Sequence, residues 1–113
     1  MKTKQSGYLE KKINGKIVPI SFGTNAFDLL TEMYESELDD VEKILSRAGG
    51  VRDLIFCGMK AAALSADKEF TLNKYQVGDW LDELPQEDYA DILSTLEKTK
   101  VMGQDVKVEE KKV

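Results

Sequence analysis

Apolar positions along the chain fall into two periods. From Tyr8 to Phe22 they lie in two short runs, Tyr8-Leu9-Glu10-Lys11-Lys12-Ile13 and Lys16-Ile17-Val18-Pro19-Ile20-Ser21-Phe22, separated by Asn14-Gly15. Asn-Gly can fill the two positive-φ positions of a type I′ turn, whose twist matches antiparallel strands, so the pattern predicts a β-hairpin over residues 8–22. Pro19 lacks a backbone donor, which places its strand at an edge or near its end. Gly23 ends the strand.

After residue 24 the spacing becomes helical and predicts five short helices. The first covers residues 25–35, with Thr24 or Asn25 as cap and Ala26, Phe27, Leu30, Met33 and Tyr34 as its stripe. The second covers 38–47, with acids at its start and Arg47 near its end to complement the helix dipole, and Gly49-Gly50 stops it. The third, 51–68, is apolar over most of its circumference and is expected among other elements. Its Gly58, Ala62 and Ala66 repeat every four residues, a small-residue face on which a neighbouring helix can approach closely. The fourth covers 72–84 behind a Thr71 cap. Pro85 suits the first turn of the fifth, 86–101. These elements predict an α+β fold, mainly α: residues 1–7 as a flexible lead, 8–102 as one domain and 103–113 as a disordered polar tail.

Composition narrows the chemistry. There is no histidine among the 113 residues, which excludes a Ser-His-Asp triad, a histidine metal site and a histidine pH switch. The single cysteine, Cys57, excludes an internal disulfide and Cys-x-x-Cys sites, and its apolar setting predicts a buried thiol. No cofactor or metal site is expected. No stretch is apolar enough to span a membrane, and the start lacks a signal-like apolar core, so a soluble intracellular protein is the expectation. The net charge of −5 conceals a division. Residues 17–97 carry seventeen acids against six basic residues, a net −11, while residues 1–16 carry +4 and 98–113 carry +2. An acidic middle with short basic ends disfavours nucleic acid as a partner.

The remaining candidates read as ordinary structure. Asp39-Asp40, Asp82-Glu83 and Glu87-Asp88 lack the alternating spacing of a calcium loop and read as solvated acidic helix starts. Ser36, within Glu35-Ser36-Glu37-Leu38, sits where small acidic carrier proteins bear a modified serine, but the extra residue spoils the spacing. Apolar residues at element ends or beyond the core stripes are candidate protein-contact positions: Phe22, Phe70, Tyr75, Trp80, Val101 and Met102.

Three stretches in order resemble a known family. They are Ile13-Asn14-Gly15-Lys16 with Pro19-Ile20-Ser21-Phe22-Gly23; Asp53-Leu54-Ile55-Phe56-Cys57-Gly58-Met59-Lys60-Ala61-Ala62; and Leu72 followed by Val77-Gly78-Asp79-Trp80-Leu81-Asp82-Glu83-Leu84. In this order and spacing the chain resembles the tail assembly chaperones of long-tailed bacteriophages and prophages, over about residues 8–100. The resemblance implies a small, acidic, largely helical and non-enzymatic protein of the host bacterial cytoplasm. Such a protein binds the hydrophobic tape measure protein, keeps it soluble, helps recruit tail tube protein and is absent from the mature virion. It also implies that a programmed frameshift can append a second domain to a short form. Lys111-Lys112 can be encoded by an A-rich slippery run, which the gene sequence tests. The lysine-rich lead, residues 1–12, departs from the family pattern.

The charge alone supports a different function: a small acidic adaptor or inhibitor occupying a basic surface on another protein. Homo-oligomers, as a ring or spiral around a partner, are compatible with the hairpin edge and the small-residue helix face.

Overall fold

The computed structural model describes residues 7–13, 15–101 and 104–105. The hairpin forms as its turn residues require. Strand β1 (Tyr8–Ile13) pairs antiparallel with β2 (Lys16–Ser21) in the register Tyr8↔Ser21 to Ile13↔Lys16, and Gly15 takes a φ of +80°. Among the described residues the sheet has only these two strands, so Pro19 lies on an edge and does not have to donate within a sheet interior. Along β2 the inward positions culminate in Ile20, and Phe22 follows just beyond the strand; both are fully buried.

Five helices follow: α1 (Thr24–Tyr34), α2 (Val41–Leu45) after a 3₁₀ turn at Leu38–Asp40, α3 (Gly50–Ser65), α4 (Lys74–Glu83) and α5 (Gln86–Glu97). With the hairpin they make the mainly α, α+β architecture that the periodicity predicts. Helix α3 lies centrally, against α1, β2, α2 and α4. The core gathers Ile20, Phe22, Phe27 and Leu30 from the first third of the chain, Leu54, Ile55 and Met59 from α3, and Val77, Ile92 and Leu96 from α4 and α5. Each large apolar side chain removed from water in this way contributes about 1.5–3 kcal/mol before its entropy cost.

Element ends differ from the sequence reading, each for a local reason. Helix α1 starts at Thr24 behind Gly23, which is extended and makes no side-chain cap, so neither Thr24 nor Asn25 caps it. It ends at Glu35, left-handed with φ +50°, where Ser36 N–H donates to the Thr31 carbonyl at 2.9 Å. Helix α4 begins two residues late because the cap is Asn73, not Thr71. Asn73 Oδ1 accepts from Gln76 N–H at 2.9 Å, and Gln76 Oε1 accepts from Asn73 N–H at 2.8 Å.

Gly49-Gly50 does more than stop the second helix. Gly49 is the N-cap of α3 and Gly50 is its first residue, and a Cβ on Gly50 would stand 1.9 Å from the Ile44 carbonyl oxygen. The close approach at Gly58 is also different from expectation. A Cβ there would meet Ile20 Cγ2 at 2.9 Å and the Phe22 ring at 3.3 Å, so the hairpin, not another helix, occupies the small-residue face. Ala62 is buried on that face, whereas Ala66 is exposed as the C-cap. Helix α3 stops at Ser65, three residues short of prediction, as Asp67 turns left-handed at φ +56°.

Helix α5 ends at Glu97, four residues short of prediction. Beyond it, Lys100–Val101 (β3), expected as the end of that helix, pairs antiparallel with Gln104–Asp105 (β4), which falls in the stretch expected to be tail. Of the expected lead, residues 1–7, Gly7 is buried and its carbonyl accepts from Phe22 N–H at 2.8 Å, so it belongs to the fold, while 1–6 and tail residues 103 and 106–113 lie outside the described residues.

Candidate functional site

Both arginines of the chain come to one place. Arg47 follows α2, Arg52 is in the first turn of α3, and Lys74 opens α4. Tyr34, the last residue of α1, and Tyr75, the second residue of α4, complete the cluster. The central group is Asp53, only 2% exposed. Tyr34 Oη donates to Asp53 Oδ2. Arg52 donates to Asp53 Oδ1 through Nε and Nη2, each at 2.9 Å. A buried carboxylate is tolerated when it is paired and hydrogen-bonded in this way.

The network extends outward through cation–π contacts. The Arg47 guanidinium lies 5.4 Å from the centroid of the Tyr34 ring. Arg52 and Lys74 each lie 5.3 Å from the Tyr75 centroid, so one exposed ring serves two cations. Burial raises the Tyr34 hydroxyl above its ordinary pKa, and its hydrogen bond to the Asp53 carboxylate adds to the effect.

Two shallow hollows adjoin along this face. One, of about 440 Å³, is lined by Met33, Tyr34, Arg47, Asp53 and Lys74 among others; the next, of about 580 Å³, by Val51, Tyr75, Leu81, Leu84 and Tyr89 among others. Ala48 and Arg52 border both. The first hollow holds three cations against Asp53, a net +2, whereas the second sets Arg52 against Asp79 and Asp82. The arrangement can stack on and neutralise an anionic group beside an apolar ledge. A third, larger groove of about 1170 Å³ runs between the hairpin and the α3 and α5 helices.

At the edge of that groove Lys11 Nζ bridges Asp88 at 3.0 Å and Asp91 at 2.9 Å. Lys11 is therefore not part of a solvated lysine lead; it ties β1 to α5. Its pKa is raised by the hydrogen bond to Asp91, with Asp88 adding to this against an opposing effect of burial. The same contact removes Asp88 from the set of merely solvated helix-start acids.

The structure separates the predicted contact residues. Tyr75 is 65% exposed and lies on the cationic face. Phe22 is fully buried beneath Gly58, so it is a core residue and not a contact position. Phe70 is half-buried with its ring edge-on to Phe56 at 5.6 Å, and Trp80 is half-buried against the core. Val101 lies in β3 with its side chain outside the described set, and Met102 lies outside the described residues. Ser36, the rejected carrier serine, donates its hydroxyl to the Tyr34 carbonyl at 3.0 Å.

Arg47, Arg52, Lys74, Tyr34 and Asp53 were not legible as a group, because they come from three helices and a loop. One signal was available: Asp53 interrupts the most apolar stretch, and a carboxylate there needs a partner. Cys57 is 1% exposed, and burial, reinforced by the nearby Asp53 charge, pushes its thiol up to about 12. Among the described residues no His/Cys/Asp/Glu group could hold a metal ion, and no helix is long and apolar enough to cross a membrane. The chain matches no protein-family model, no curated protein and no solved structure.

Proposed function

We propose that this chain is a tail assembly chaperone of a long-tailed bacteriophage or prophage. It acts without catalysis in the host bacterial cytoplasm, covers apolar segments of the tape measure protein, helps bring tail tube protein to it and leaves before the virion is complete. The observation that carries this reading is the packing of the three motif stretches against one another. Ile20 and Phe22 of the first stretch rest on Gly58 of the second, whose Leu54, Ile55 and Met59 form the centre of the core. Val77 of the third joins the same core. Stretches that are far apart in sequence thus share one core, which is compatible with their acting as a single module.

The surface is compatible with the role. Ile17, Met33, Leu38, Leu64 and Tyr75 are large apolar side chains left in water. They sit on a body whose residues 17–97 sum to −11, so copies repel one another while apolar contacts stay available to a partner.

Co-expression with the candidate tape measure gene tests the reading. The tape measure protein should move from the pellet to the supernatant when this chain is present; equal solubility without it overturns the proposal. The −11 body also supports the acidic adaptor reading, and salt separates the two. A complex that persists at about 1 M salt, where the Debye length is about 3 Å, favours apolar coverage; one that dissociates favours the adaptor.

A further inference from the structure

The acidic body carries a positive hollow. Of its six basic side chains, three, Arg47, Arg52 and Lys74, line the same concavity and meet there only Asp53. Asp53 is buried and already bonded to Tyr34 and Arg52, so its charge is spent on Arg52 and the surplus resides on Arg47 and Lys74. Apolar surface flanks the cations, with Met33 at 38% and Tyr75 at 65% exposure.

From this placement we infer that the Arg47–Arg52–Lys74 hollow is a docking site for an acidic amphipathic helix on a protein partner. The inference rests on the reading of the chain as a protein-binding module and specifies which kind of segment it takes. Carboxylates three or four residues apart on a helix share one face and can reach Arg47 and Lys74 together. Apolar residues beside them then cover Met33 and Tyr75, the helix-in-groove mode of recognition. The cations are pre-ordered: Arg52 is held by Asp53 and Tyr75, Arg47 lies over Tyr34, and Lys74 lies over Tyr75. Side chains fixed in advance lose less freedom on binding. Charge argues against nucleic acid as the occupant. A long polyanion would run beyond the hollow onto a body that carries sixteen further acids, whereas a short carboxylate cluster engages the positive patch alone.

The test uses the full chain, labelled for amide NMR, and two synthetic peptides of about 16 residues, long enough to form an isolated helix. Both carry the same leucine seam, flanked in one by glutamates and in the other by lysines. The glutamate peptide should shift the amides of residues 47–53 and 74–78, and the double variant Arg47→Glu, Lys74→Glu should weaken it by about tenfold or more. The milder pair Arg47→Gln, Lys74→Gln serves if charge reversal perturbs folding. The lysine peptide should leave those amides unmoved.

Three results overturn the inference. In the first, the lysine peptide binds there equally well, or the glutamate peptide shifts other amides. In the second, the variants bind unchanged. In the third, a thymidine oligonucleotide or inorganic phosphate alone produces the same shifts, assigning the hollow to nucleic acid or to a small anion. The outcome is separable from the tail reading. Peptide binding at the hollow with no effect on tape measure solubility keeps the site and removes the tail role, and the converse keeps the role and removes the site.

Discussion

Asp53 shows how much one residue can organise. It sits in the first turn of the most buried helix, 2% exposed, and joins Tyr34 of α1 to Arg52 of α3. Removing it leaves a half-buried hydroxyl and a half-buried guanidinium without their acceptor. That penalty is the desolvation of the orphaned groups rather than the value of the bonds. Asp53→Ala should therefore lower unfolding stability by about 2–4 kcal/mol. Urea titration followed by tryptophan fluorescence checks it, and a loss under about 0.5 kcal/mol, the level of an ordinary surface change, contradicts the network described here. The cluster was hard to foresee because it depends on which loops return to the start of α3. In the sequence Tyr34 reads as part of the α1 apolar stripe and Arg47 as a helix-end charge, and nothing in either reading brings them to Lys74.

Among the elements, the contact between α3 and the hairpin leaves no room for a side chain at its centre. Gly58 leaves room for Ile20 and the Phe22 ring, and both of those side chains are fully buried. Valine at position 58 adds three carbons to a space where even one Cβ approaches Ile20 to 2.9 Å. The hairpin must then shift from the helix, and Gly58→Val should cost about 1–3 kcal/mol through overpacking. Amide exchange gives a local readout, with protection falling in β1 and β2 before it falls in α5. The small-residue spacing made a close approach legible in the sequence but not the identity of the approaching element. Helix and hairpin impose the same demand for a missing side chain.

For the molecule as a whole, the lack of histidine and the direction of the shifted groups set the dependence of stability on pH. Cys57, Tyr34, Tyr8 and Lys11 all hold their protons more tightly in the folded chain. When the folded pKa is the higher one, the unfolded chain loses its proton first. The stabilisation is then complete below the unfolded pKa and is lost as pH rises toward the folded one. Cys57 opens this window, since its thiol moves from 9.0 to about 12 on folding. Stability should change little near neutrality and decline above pH about 9. Cys57→Ala should flatten the first part of that decline. An equal slope in the variant between pH about 9 and 10 would exclude burial of the thiol as its origin.

The sequence by itself determined the hairpin, the five helices and most of the core, because these follow from local preference and from the period of apolar positions. Asn14-Gly15 supports a tight turn, and helical spacing selects Phe27, Leu30, Leu54, Ile55 and Ile92 for the interior. It also determined that residues 17–97 would be strongly acidic and that histidine chemistry is absent. Only the tertiary structure decided that Phe22 is buried while Tyr75 is exposed, that Lys11 is tied to Asp88 and Asp91, and that Arg47, Arg52 and Lys74 share one hollow. The physical reason is range. Periodicity records which face of an element turns inward, whereas these features depend on which two faces meet, and that is fixed by packing between residues as far as 80 positions apart.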